Sequence, residues 1–197
     1  MDEEPKTIEE NPWHEETINS GSILYRQCHF GQRHLVGKKR RHPNEANFSL
    51  GVGEDGLSFD WDKYVCPEKC SVIKGITTNR SGNFFNHQDY SIFKYPVDEL
   101  KNVEGIIGFK HNPVFNGAPA SVGLPNNKSH TLVFIDRSDE HYNQVRMNLT
   151  DFQSSNYPDL KCEIDTDEVN RIIDQIIQRL NNTEYHNFWE FTKDQLI

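Results

Sequence analysis

No stretch of this chain approaches the roughly 18 continuous apolar residues that a membrane-spanning helix requires, so the sequence offers no candidate span. Its first residues are acidic where a secretory leader is basic and then apolar, and the expected location is therefore the cytoplasm. Cysteine is scarce: Cys28, Cys66, Cys70 and Cys162 are the whole set, expected as reduced thiols in that compartment. Two C-x-x-C pairs, the signature of a zinc ribbon, are missing. Cys66 and Cys70 lie four apart and could meet Cys28 and His29 at a metal, but Pro67 argues that Cys66 precedes its helix, and no metal is assigned. There is no G-x-G-x-x-G, no G-x-x-x-x-G-K-[ST] and no G-x-S-x-G, which removes the usual grounds for a Rossmann fold, a P-loop or a nucleophile elbow. Five N-x-S/T triplets are read as chance in an Asn-rich chain.

Apolar residues make up only 35% of the 197, yet 12 Phe, 7 Tyr and 3 Trp argue for a packed core over wholesale disorder. That length suits one domain. Charge is uneven beneath the net value of -9: residues 1–20 carry -6, residues 151–197 carry -6, and the middle of the chain carries +3. Residues 1–20 also lack apolar periodicity and are expected to form a mobile acidic arm ahead of a single domain spanning 21–197.

Within that domain, Ser22 to Arg26 and Leu57 to Trp61 read as strands, with Phe48 to Leu50 as a further candidate hairpin partner across Asp55-Gly56. Gly31 to Ala46 is polar, basic and interrupted by Pro43, which predicts a loop. Cys66-Pro67-Glu68 opens a helix over about 67–74. Phe84 to Asn86, Ile92 to Tyr95 and Gly105 to Lys110 are short strand candidates, and Val97 to Val103 has room for one or two helical turns. His111 to Pro125 holds five Gly or Pro breakers and predicts a long loop.

Thr131 to Asp136 is continuous enough in apolar residues to be a strand buried on both faces. Asp165 and Glu168 form a capping-box pattern ahead of a helix over about 167–181, whose Val169, Ile172, Ile173, Ile176, Ile177 and Leu180 recur at helical spacing. That helix is expected to pack on the sheet containing Thr131 to Asp136. A final amphipathic piece, Tyr185 to Phe191, closes the chain. Several strands ahead of one dominant helix predict a single α+β domain with a mixed or antiparallel sheet packed by a long C-terminal helix.

The densest chemistry lies between Arg26 and His42, where His29, His34 and His42 stand among Arg26, Arg33, Lys38, Lys39, Arg40 and Arg41. Imidazoles beside fixed positive charge suit an anion and proton transfer at a phosphate. The candidate site joins His29, His111 and His130 as acid–base groups with Arg26, Arg33 and His34 as anion ligands, for a nucleotide or RNA phosphate. On this reading Arg26→Ala weakens binding and leaves stability nearly intact. Cys28, flanked by Arg26 and His29, is a weaker nucleophile candidate, because neighbours on a strand face opposite ways.

Tyr25-Arg26, followed by Leu57-Ser58-Phe59 and Tyr64, resembles the order of ADP-ribosyltransferase-like domains. The resemblance implies an early strand supplying an Arg for a dinucleotide and a later one supplying a Ser; no downstream catalytic Glu can be assigned. The opposing reading is a noncatalytic module, such as an antitoxin, immunity protein or complex subunit. Its acidic ends would meet a basic protein partner, with Trp13, Trp61, Phe188 and Trp189 as anchors.

Overall fold

The computed structural model describes residues 11–36, 39–51, 53–79, 81–115, 125–138 and 141–181. Its strands are β1 (Ile23–His29), β2 (Arg33–Val36), β3 (Lys39–Pro43), β4 (Leu57–Trp61), β5 (Tyr90–Pro96), β6 (Ile106–His111) and β7 (His130–Ile135). The helices are α1 (Pro67–Gly75), α2 (Val97–Leu100), α3 (Tyr142–Ser155) and α4 (Thr166–Asn181). Five strands form one sheet in the order β5-β1-β4-β7-β6, antiparallel throughout, and β2 and β3 make a separate two-stranded ribbon. The chain thus has the α+β class with an antiparallel sheet. No helix among the described residues is long and apolar enough to cross a membrane.

Register fixes which side chains share a face. Leu24 opposes Trp61 and Tyr95, and Phe59 opposes Thr131, so the even positions of β1 and the odd positions of β4 and β7 point the same way. On that side Leu24, Cys28, Leu57, Phe59, Trp61, Phe93, Tyr95, Val133 and Ile135 pack with Phe48 and with Val145 and Leu149 of α3. Gly105, at φ +91°, opens β6, and a Cβ there would collide with Val145, so the bare backbone is what lets α3 seat so closely.

The opposite face is covered unequally. α1 lies over β1 and β5, and α4 packs on α1, so that Val72, Ile73, Val169, Ile172, Ile173 and Ile176 form a second cluster with Ile92 of β5 and Tyr25 of β1. Across β4 and β7, the same face carries Ser58, Asp60, His130 and Leu132; Cys70 of α1 reaches the buried Asp60, whereas Ser58 stays exposed.

Several expectations change here. The α4 face meets α1 and not β7, whose Val133 and Ile135 belong to the α3 cluster; α1 has taken the covering role and α4 packs on it. Thr131 to Ile135 alternates between buried and half-buried positions, since only its α3 side is covered by a helix. The stretch 31–46 is largely structured, folding into a short 3-10 turn, the β2–β3 ribbon and a second 3-10 turn at Glu45–Phe48, because antiparallel pairing satisfies its backbone despite the polar sequence. Phe48 belongs to that second turn, so β4 pairs with β1 and β7 instead of a 48–50 strand. Phe84 makes only an isolated bridge to Thr78. α3 was not anticipated at all. The piece at Tyr185 to Phe191 lies outside the described residues.

Candidate functional site

The sheet splits between two of its central strands. β1 pairs with β5 at seven positions but with β4 only at Leu24–Trp61 and Tyr25–Asp60, after which β1 follows β5 and β4 follows β7. Parting strands leave backbone carbonyls without ladder partners. Arg26 bridges the opening: its Nε donates to Asn47 O of the Glu45–Phe48 turn at 3.1 Å, Nη2 donates to the same oxygen, and Nη1 donates to Ser58 O of β4. The guanidinium also lies 5.2 Å from the centroid of the Phe59 ring.

A cleft of about 780 Å³ opens at this split, large enough for a nucleotide-sized ligand. Arg26, Gln27 and His29 line it from β1, Ser58 and Asp60 from β4, His130 from β7, and Lys74 and Thr77 from the end of α1 and the turn beyond. Tyr90, Asn127 and a second carboxylate, Glu54, add to the wall.

Backbone groups fix opposite tautomers on the two histidines. A carbonyl only accepts, so the 2.8 Å contact between His130 Nδ1 and Asn112 O requires a proton on Nδ1. Neutral His130 therefore carries its lone pair on Nε2, which lies 3.3 Å from Ser58 Oγ. Asn112 N–H returns a bond to His130 O at 2.9 Å, tying the end of β6 to the same residue. At His29 the order reverses: Gly31 N–H donates to Nδ1 at 3.1 Å, leaving the neutral ring's only proton on Nε2. One imidazole is thus a base and the other a hydrogen-bond donor.

Asp60 sits directly across from His130 on the shared face, but its carboxylate accepts from Asn127 Nδ2 at 2.8 Å and Ser129 Oγ at 2.9 Å. The His130 ring is oriented by a backbone carbonyl instead. Lys74 projects over Phe85 and Tyr90, its Nζ 3.9 and 4.4 Å from their centroids, and burial lowers its pKa from the usual lysine value. Neither Lys74 nor Arg26 has an ion-pair partner among the described residues, in a chain with 30 acidic and 21 basic side chains.

Of the residues proposed from sequence, His29, His130 and Arg26 come together on this cleft. His111 does not: it lies on the opposite face between Trp61 and Tyr64, accepting from Glu16 N–H and donating to Lys128 O at 2.6 Å. Arg33 turns to Ser91 Oγ at 3.0 Å. His34 lies on β2, with its side chain outside the described part of the molecule. Cys28 is fully buried on the α3 side, where desolvation pushes its thiol up to about 12 and keeps it protonated. Cys66 caps α1 and Cys70 is buried in that helix; all four cysteines are free thiols, and no metal-holding group of three or more His, Cys, Asp or Glu occurs among the described residues.

Sequence reasoning had not joined Ser58 to His130 or noticed Lys74. The alternation Leu57-Ser58-Phe59-Asp60-Trp61 was the available signal, since it marks a strand with one apolar and one polar face. Lys74 had no comparable signal, because a lysine in a helix's last turn ordinarily complements the dipole. Compared with known proteins, the chain matches no family model, no curated protein and no solved structure.

Proposed function

We propose that this protein is an enzyme of the cytoplasm that binds a nucleotide or RNA phosphate in the cleft between β1 and β4 and moves a proton there through His130. The observation that carries the reading is Lys74, a cation that lines the same cleft as the His130 lone pair and has no ion-pair partner among the described residues. An acidic chain has ample carboxylates to neutralise it, so its isolation favours an anion brought by the ligand. His29 Nε2–H adds a neutral donor, and Lys74 supplies the charge compensation that phosphate chemistry needs. Trp13 and Trp61, considered above as anchors for a protein partner, are engaged internally, Trp13 against Phe115 and Trp61 against Tyr64 and His111.

Calorimetric titration with AMP, ATP, NAD and a short RNA at low and high salt tests the binding. Affinity should fall as salt rises, and Lys74→Gln should weaken it by about 10- to 100-fold, the worth of one charge-assisted contact. Turnover of whichever ligand binds should drop by roughly 100-fold or more in His130→Ala. A folded protein that binds none of these anions yet captures a basic protein tightly would establish the interaction-module reading instead.

A further inference from the structure

We propose that Ser58 is a covalent nucleophile, activated by His130, and that the bond it attacks is a phosphoanhydride. The proposal rests on the phosphate-binding reading of the same cleft and adds the bond broken and the atom that breaks it. Ser58, the second residue of β4, is exposed to the cleft in a strand otherwise occupied by buried residues. Its hydroxyl faces the unprotonated nitrogen of an imidazole whose other nitrogen is held by a main-chain carbonyl, giving nucleophile, base and orienting group in sequence. The 3.3 Å separation is within the looser range of an unliganded site.

The choice of bond follows from His29. Its only proton in the neutral form is on Nε2, and giving that up would leave an imidazolate, so the ring can donate a hydrogen bond but is a poor acid. An alkoxide leaving group needs a proton as it departs; a phosphate leaving group does not. Lys74, on the same cleft, compensates the charge of such an anion.

Ser58 Oγ attacks phosphorus, forming the Oγ–P bond as the anhydride P–O bond breaks and its electron pair leaves with the departing phosphate. The hydroxyl proton goes to His130 Nε2, which then loses it to solvent. Water attacks the same phosphorus while His130 takes a proton from it. The Oγ–P bond breaks, and that proton passes to Ser58 Oγ. The sum is one anhydride and one water giving two phosphate products and one proton released to solvent.

The test is reaction of the folded protein with a fluorophosphonate, in which Oγ–P forms, fluoride leaves and the proton goes to His130. Peptide mass spectrometry should locate the adduct on Ser58, with none in Ser58→Ala and labelling at least about 100-fold slower in His130→Ala. Ser58→Ala should still bind nucleotide in the calorimeter, because among the described residues its hydroxyl makes no hydrogen bond other than that to His130. Incubation with NAD separates the bonds: release of two mononucleotides supports anhydride cleavage, whereas release of nicotinamide or cleavage of RNA overturns it. A protein that binds nucleotide but is never labelled at Ser58 overturns the nucleophile and leaves the binding reading standing. Labelling at Ser58 without nucleotide binding supports the nucleophile and removes the phosphate reading and the anhydride assignment with it.

Discussion

Arg26 holds the molecule together at the place where it opens. Its guanidinium ties the Asn47 carbonyl of the Glu45–Phe48 turn to the Ser58 carbonyl of β4, so removing it strands the part-buried Asn47 acceptor. Arg26→Ala should cost about 1–3 kcal/mol, read as a lower urea midpoint, in contrast to the near-neutral effect that a surface anion ligand would give. Arg26→Lys should recover little, since a point charge cannot bridge both oxygens in the same fork. His111 makes a different residue-scale prediction. Desolvation holds its pKa below the ordinary histidine value, so the native state keeps the ring neutral where the unfolded chain takes a proton. The unfolded state binds more protons between its own pKa, about 6.5, and the lower native value, and stability falls as pH falls through that window. Thermal melts at pH 7 and pH 5 should show a larger drop for the natural chain than for His111→Gln; equal drops would contradict the assignment. Glu16, whose pKa is lowered first by its hydrogen bond from Lys63, adds its own loss only at more acidic pH.

Helix α4 shows how far periodicity carries an element. Its apolar stripe identified the helix and the buried residues Val169, Ile172, Ile173 and Ile176, but a stripe does not name what it faces. The α1–α4 contact is set by Gly75, where an added Cβ would run into Ile173 Cδ1. Gly75→Ala should therefore destabilise by about 1–3 kcal/mol despite alanine's better helix propensity. Ile173→Val removes Cδ1, so the double variant should be more stable than the sum of the singles predicts; additive denaturation midpoints would refute the contact. Helix α3 escaped notice for the opposite reason. Val145, Leu149 and Phe152 are separated by Arg146, Asn148 and Thr150, too sparse a stripe to stand out. Tertiary contacts hold it: Leu50 N–H donates to the phenolic oxygen of Tyr142 at 2.8 Å, and Arg146 donates to Glu45 O.

At the scale of the whole molecule, residues 11–18 join distant parts of the sheet. Asn11 Nδ2 donates to Pro113 O at 3.1 Å, Trp13 meets Phe115 edge-on, Glu15 pairs with Lys110, and Glu16 takes hydrogen bonds from Lys63 and Tyr64. Ile18 packs against the larger core. Deleting residues 1–18 should lower the melting temperature by more than about 4 °C, the equivalent of one to two kcal/mol for a chain of this length. An unchanged melt would mean that these contacts add nothing to stability. The segment reaches the sheet at His111 and Tyr64 and also holds Pro113 and Phe115, which follow Asn112, the residue that orients His130, so the deletion is expected to weaken nucleotide binding as well as stability.

The residue pattern by itself determined the α+β class, the position of β4, the start of α1 and the apolar face of α4, because each depends on local periodicity and on Pro, Gly and capping residues at fixed offsets. It also put forward Arg26, Arg33, His29, His34, His111 and His130 as site candidates, of which Arg26, His29 and His130 line one cleft. Only the tertiary structure decided that His111 belongs to the other face, since which side a strand residue takes depends on register with its neighbours. The pairing of Ser58 with His130, 72 positions apart, likewise exists only because β4 and β7 are adjacent. The cleft itself follows from β1 leaving β4 after two pairs, a geometric event with no local signature in either strand. Local patterns specify elements; long-range pairing decides which side chains meet, and chemistry resides in the meeting.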